Sequence, residues 1–194
     1  MKIVGGKWSN WSGGVTCKPA EFVTPRDEVE LAAALRKCAA PVRAPGTGHS
    51  FTPLNATTGT IIDLKDFDGL NGFDQTRNVA TFGGATPIWE VGPLLHSAGA
   101  ALKNMGDIDR QTLGGVVGTG THGTGATLGS FSADVAHFRL VLADGSLIDC
   151  SPSENPEVFA AGRCAMGLFG VMTEIALYVR PAYKLIEKEF LLPT

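Results

Sequence analysis

The sequence has no run of like charge. In 194 residues, 16 Lys plus Arg stand against 19 Asp plus Glu, giving a net charge of −3, and neither sign gathers into a stripe. The electrostatic footprint of a nucleic-acid binder or membrane-surface protein is therefore missing, and a small-molecule partner is expected, with no nucleic acid and no membrane. No apolar stretch is long enough to span a bilayer. Met1 to Val15 contains Lys7, Asn10 and several Gly and Ser in place of the unbroken apolar core of a secretory signal. Cysteine is sparse. Cys17, Cys38, Cys150 and Cys164 form no CxxC pair and have no metal-ligand spacing, so four reduced thiols, no metal and a cytoplasmic location are expected. Internal repeats and low-complexity linkers are also absent.

Glycine, by contrast, is abundant: 25 residues, nearly twice the usual ~7%. An apolar fraction of 44% and a charged fraction of 18% are ordinary for a globular protein. A chain of this length forms one domain or two small subdomains and buries roughly 70% of its unfolded surface.

Along the chain, Thr24-Pro25-Arg26-Asp27 opens a helix with a capping hydroxyl, a proline for the first turn and an acid at the positive dipole end. It is predicted to run to about Ala39, before Pro41. Strands are predicted at Val42–Ala44, Thr60–Leu64 and Val79–Phe82. Pro87 to Ser97 has Ile88, Val91, Leu94 and Leu95 at helical spacing. Val135–Leu142 and Ser146–Cys150 flank Asp144-Gly145, a two-residue hairpin signal. Asn155-Pro156-Glu157 starts a short helix, Val171 to Val179 alternates as a half-buried strand, and Lys184 to Leu192 is read as a last strand. The fold class is α+β, with a break at Gly99 to Asp107.

Two glycine segments stand apart from these elements. Pro45-Gly46-Thr47-Gly48-His49-Ser50-Phe51 follows a strand, and its successive amides either form an anion nest or only a tight turn. Asp107 to Gly129 carries small residues where a core helix would carry large ones, which lets something approach its backbone closely. Within it, Gly118, Gly120 and Gly123 spell G-x-G-x-x-G. A dinucleotide-binding βαβ unit needs a strand before that motif and a long helix after it, yet Thr124 to Ser132 has no helical stripe. His96 and His137 read as surface or core-edge residues.

Trp8-Ser9-Asn10-Trp11, the Pro45–Phe51 loop, Asn104-Met105-Gly106-Asp107-Ile108, and Gln111-Thr112-Leu113-Gly114-Gly115 running into Gly118-Thr119-Gly120-Thr121-His122-Gly123-Thr124-Gly125 together resemble the vanillyl-alcohol-oxidase type flavoproteins. Within them the chain is most similar to the aldonolactone oxidases and the alditol oxidases, and the resemblance covers nearly its whole length. It implies two α+β subdomains, about 1–103 and 104–194, with FAD between them. Pro45, Gly46, Thr47, Gly48, His49, Ser50 and Phe51 would wrap the pyrophosphate. Asp107, Gln111, Thr112, Gly115, Gly118, Thr121, His122 and Gly123 would line the flavin and ribityl chain, and Gly170-Val171 either touch the cofactor by main chain or only start a strand.

The resemblance also implies roles for two further positions. His49 stands where many relatives bond covalently to the flavin 8α-methyl group and others hold a noncovalent His. Gly106 stands where a side chain would bar dioxygen from the flavin, which implies an oxidase. The implied activity is oxidation of a CH–OH group in a sugar lactone or polyol by O2. The family's cap domain, which encloses substrate and supplies the base, is expected to be missing here or carried by a separate partner. A flavin-binding module without turnover is the alternative.

Overall fold

The computed structural model describes residues 2–190. The chain opens with an antiparallel sheet of β1 (Lys2–Val4), β2 (Lys7–Ser9) and β3 (Thr16–Cys17). A second sheet is parallel: β4 (Glu21–Val23), then α1 (Glu28–Leu35), β5 (Val42–Arg43) and β6 (Thr60–Ile62), with β6 between the other two strands. The α1 helix is shorter than the predicted 24–39 at both ends. Its cap is Asp27, whose carboxylate accepts the Glu30 amide at 2.8 Å, so Thr24 and Pro25 lie before the helix.

The largest sheet is antiparallel, in the order β11-β10-β12-β8-β7. It is built from β7 (Leu70–Asp74), β8 (Val79–Gly83), β10 (Val135–Val141), β11 (Leu147–Cys150) and β12 (Val171–Tyr178). Three helices lie on one face: α2 (Ile88–Ser97), α3 (Leu113–Gly118) and α4 (Pro156–Gly162). Ile88, Val91 and Leu95, Leu113, Val116 and Val117, and Phe159 meet Phe82, Phe138, Leu140, Ile175 and Leu177 in the main core. Two short strands, β9 (Ala100–Ala101) and β13 (Arg180–Pro181), pair beside it. A second cluster, Leu31, Ala32, Ile62, Val141 and Val171, joins α1 and the parallel sheet to the end of the large one. No helix among the described residues is long and apolar enough to cross a membrane.

The mixed α+β class is as expected, but strand pairing moves the internal break. β7, β8 and α2 belong with β10 and β12, so the chain changes sheets between β6 and β7, not at Gly99 to Asp107. The cause is β8, whose residues pair with β12 partners 91 to 99 positions downstream, a partnership that local spacing does not reveal. The β10–β11 connection is also longer than a two-residue hairpin. Leu142 and Ser146 remain paired at 2.8 Å, and Gly145, at φ 78°, closes a loop of three residues. Asp144 accepts both the Ser146 amide and hydroxyl there.

Of the strand expected at 184–192, residues 184–190 form no strand, and 191–192 lie outside the described residues. Leu185, Ile186 and Phe190 are exposed. His137 Nε2 donates to the Asp149 carboxylate at 2.8 Å, which Arg139 also holds. Burial alone would raise the Asp149 carboxyl, but these two partners outweigh it and keep it below its usual range.

Candidate functional site

The first glycine ribbon, 45–51, leaves β5 and is held from below by the N-terminal sheet. The Trp11 amide donates to Gly48 O at 3.1 Å and Asn10 Nδ2 donates to Ser50 O at 2.9 Å. Asn10 is itself buried and its Oδ1 accepts the Val15 amide at 3.0 Å, so the bracket is rigid. Gly48 is left-handed, at φ 77°, and a Cβ there would sit 3.4 Å from the ring of Trp8. With its carbonyls drawn toward Asn10 and Trp11, the ribbon leaves its amides unused. Among the described residues, none of the amides from Gly46 through Phe51 has an acceptor. Six successive amides without an acceptor among the described residues suit an anion of several oxygens.

The second ribbon runs from 104 to 125 and is strapped to β8 and α2. The amides of Leu113 and Gly114 donate to Thr86 O and Gly84 O, each at 2.8 Å, and the Ile88 amide donates to Gln111 O at 3.0 Å. The Asp107–Gly129 segment was expected to lack a core helix, yet residues 113–118 form one. Its three large residues, Leu113, Val116 and Val117, are all buried, and its glycines let it lie close against Gly84. The G-x-G-x-x-G motif begins at the end of this helix, and residues 119–130 form none, so the arrangement is not that of a βαβ dinucleotide turn.

The ribbons meet at Thr112. A Cβ built on Gly46 would fall on Thr112 Oγ1, with Thr112 Cβ and Cγ2 both at 3.1 Å, and Thr112 Oγ1 is also 3.2 Å from a Cβ placed on Gly115. Beside Thr112, Gln111 Oε1 is buried and has no hydrogen-bond partner among the described residues. Further along, Asn104 Nδ2 donates to Thr124 O at 3.3 Å and Gly106 lies against Thr121, so 104–106 packs on 121–124. The amides of His122, Gly123, Thr124 and Gly125 have no acceptor among the described residues. His122 Nδ1 donates to Gly123 O at 2.8 Å, which leaves Nε2 without a partner among the described residues.

His49 stacks on Trp11, with centroids 4.9 Å apart and planes 11° apart, and Phe51 meets the same indole edge-on at 5.6 Å. Burial, helped by the Arg110 charge, holds the His49 imidazole below its ordinary pKa. Gly170 leads into β12 and Val171 opens it. Gly170 has φ 150° and a Cβ there would meet Val141 O at 2.7 Å, while Val171 packs in the second cluster.

Sequence reasoning missed the loop at 164–168, where the Met166 amide donates to Gly118 O at 3.0 Å and Cys164 Sγ lies 3.1 Å from a Cβ on Gly120. It also assigned no role to Trp8, Asn10 and Trp11 beneath the first ribbon, although their clustering near the N-terminus was visible.

The chain is similar to known proteins over most of its length. L-gulono-1,4-lactone dehydrogenase of Mycobacterium tuberculosis is 35% identical over 181 residues, covering 92% of this chain and 42% of that protein. L-gulonolactone oxidase of Mus musculus is 32% identical over 189 residues, covering 96% and 43%, and alditol oxidase of a Streptomyces species is 32% identical over 178, covering 91% and 42%. The chain thus spans about two fifths of the length of these relatives. Chitooligosaccharide oxidase shares the fold, with a TM-score of 0.78 at 22% identity over 89% of this chain and 38% of the other. Residues 19–151 match the family model described as FAD binding domain, and the matched span includes both glycine ribbons. The chain therefore belongs to the FAD binding domain family, and its cofactor is FAD.

Proposed function

We propose that this chain is the FAD-holding part of a flavin-dependent oxidase that oxidises a CH–OH group of a sugar lactone or polyol, with dioxygen as final acceptor. The observation that carries the reading is the row of six amides, Gly46 to Phe51, without an acceptor among the described residues and with Gly46 against Thr112. These donors fit the pyrophosphate of FAD, whose oxygens would satisfy them. The orphaned Gln111 Oε1 fits an N–H of the isoalloxazine ring, which would relieve the cost of a buried acceptor without a partner. Asp107, Thr112, Gly115, Gly118, Thr121, His122 and Gly123 line the flavin and ribityl chain, and Gly170-Val171 reach it by main chain. When bound, FAD supplies the two-electron acceptor for the substrate C–H bond.

His49 stands beside this site, and its imidazole would hold the flavin through a C–N bond to the 8α carbon. With FAD bound, the hydrogens displaced from the methyl group and from the imidazole nitrogen would pass with two electrons to dioxygen, giving hydrogen peroxide. The base that deprotonates substrate, and the walls around it, belong to a cap domain supplied by further chain or by a partner. The relatives named for lactone and polyol oxidation are more than twice as long as this chain, which supports that division. The cytoplasm suits four free thiols.

Purified protein is expected to be yellow, and acid precipitation should carry the colour into the pellet. A yellow supernatant would remove the covalent bond and keep the binding; a colourless protein that takes up no added FAD would end the reading. The coverage of about two fifths favours a second reading, a flavin-binding module without turnover. Peroxide release from xylitol, gulonolactone and arabinonolactone, with and without a cap-domain chain, separates the two, and silence in every combination favours the module.

Gly106 bears on the acceptor, because one similar protein is named a dehydrogenase and others oxidases. A methyl group there would touch Thr121 Cγ2 at 3.1 Å, close enough to be admitted with a small shift. Gly106→Ala is expected to slow reoxidation of the photoreduced flavin by dioxygen about tenfold, equivalent to ~1.4 kcal/mol of barrier. Stopped-flow mixing with oxygenated buffer measures this. An unchanged rate would place the oxygen path elsewhere.

A further inference from the structure

The Trp8–Trp11 bracket does more than support a loop. Trp11 is joined to the first ribbon twice, by its amide to Gly48 O at 3.1 Å and by its indole face to the His49 ring at 4.9 Å and 11°. The two joints are neighbours in sequence, so the backbone bond sets where His49 begins and the stack sets how its ring is turned. A third contact, Phe51 edge-on at 5.6 Å, joins the same indole to the end of the ribbon. Trp11 remains 43% exposed, so burial of apolar area alone does not account for a tryptophan here. A stacked imidazole keeps its plane and presents its nitrogens only at the edge of the stack. Neither nitrogen of His49 has a hydrogen-bond partner among the described residues, so no polar contact competes with the indole for control of the ring.

We propose that Trp11 is a positioning residue for His49. Its indole holds the imidazole plane so that an unpaired ring nitrogen meets the flavin methyl group edge-on, and it does so before the bond forms. The inference rests on the proposed covalent reading of His49 and adds the group that makes the encounter productive. Attack through a ring nitrogen needs its in-plane lone pair aligned with the carbon, and a freely turning imidazole spends little time there. Misplacement by an ångström costs on the order of a hundredfold in such steps.

The test uses the purified full chain with the flavin it carries and three variants. Trp11→Phe keeps a flat partner, while Trp11→Met and Trp11→Leu replace it with flexible and branched apolar side chains. Total bound flavin is read from the visible absorbance of the native protein, and the attached share from the mass of the denatured polypeptide. After reconstitution of flavin-free protein with FAD, attachment should proceed at near-parental rate in Trp11→Phe and about ten- to a hundredfold more slowly in Trp11→Met and Trp11→Leu at equal bound flavin. The carbon-bound protons of His49 supply a readout independent of attachment. Stacked over an indole they resonate upfield, and they should return downfield in the Met and Leu variants.

If the parent binds FAD but forms no adduct, the covalent reading fails, and the His49 resonances alone decide the role of Trp11. Equal attachment rates and unchanged His49 resonances in Trp11→Met and Trp11→Leu would overturn the proposal.

Discussion

Gly46→Ala should lose FAD while keeping its fold. The residue lies outside every apolar cluster, and its backbone is not left-handed, so alanine itself is tolerated there. The obstacle is Thr112, buried at 7% exposure and branched at Cβ. The new methyl group falls on Thr112 Oγ1 with Cγ2 at 3.1 Å, so rotating the threonine only exchanges one atom for another. The 45–51 ribbon must then lift away from Thr112, and the proposed cradle for FAD opens. FAD affinity is expected to fall about a hundredfold, or ~2.8 kcal/mol, with little change in Tm of the flavin-free protein. Adding Thr112→Ala removes Oγ1 and Cγ2 and leaves Cβ at 3.1 Å, so it should restore part of the affinity, less whatever the Thr112 side chain gives the cofactor. Titration by flavin fluorescence quenching measures all three variants. Full affinity in Gly46→Ala would mean that the ribbons do not meet as described.

Gly123→Ala makes a contrasting case, because its obstacle is main chain. A Cβ there would fall on Met105 O, with Asn104 Cγ at 3.0 Å. Carbonyl oxygens in a packed ribbon cannot rotate aside, so segment 104–106 must separate from 121–124 and the Asn104–Thr124 hydrogen bond at 3.3 Å is lost. A strained loop of this kind costs about 1–3 kcal/mol, seen as a lower Tm, and FAD binding should fail with it. Asn104→Ala should not rescue this variant, since the Met105 carbonyl stays. A Gly123→Ala protein with parental Tm and parental FAD affinity would show that 104–106 does not bear on the cofactor.

These two glycines also show what could be read from the chain alone. Their abundance and clustering announced a close approach by something, and the order of the motifs announced a flavin, because both signals are local. That Gly46 faces Thr112 is a contact across sixty-six positions, and nothing in the spacing encodes it. The same limit explains the misplaced internal break. β7 was unseen because Leu-Asn-Gly-Phe-Asp lacks the β-branched alternation of β12, and β8 was assigned to the first half because its partner lies beyond residue 170. The α1 start was misread because Thr24 and Asp27 are both capping residues, and only the Asp27 carboxylate reaches an amide. The 113–118 helix was hidden by three glycines in six residues, a composition that propensity alone rejects and that burial of Leu113, Val116 and Val117 overrides. Trp11 was legible as a motif but not as a neighbour of His49.

The strand order of the large sheet has a consequence for synthesis. β12 is the middle strand, hydrogen-bonded on both sides, yet it is the last of the five to leave the ribosome. Until residue 178 emerges, the β7–β8 pair and the β10–β11 hairpin exist as two halves with open inner edges and apolar faces. Such halves are slow to join and prone to pairing with other chains in the interval. Any treatment that delays or weakens this one late strand should therefore lower the yield of native protein more than an equal perturbation at the sheet margin.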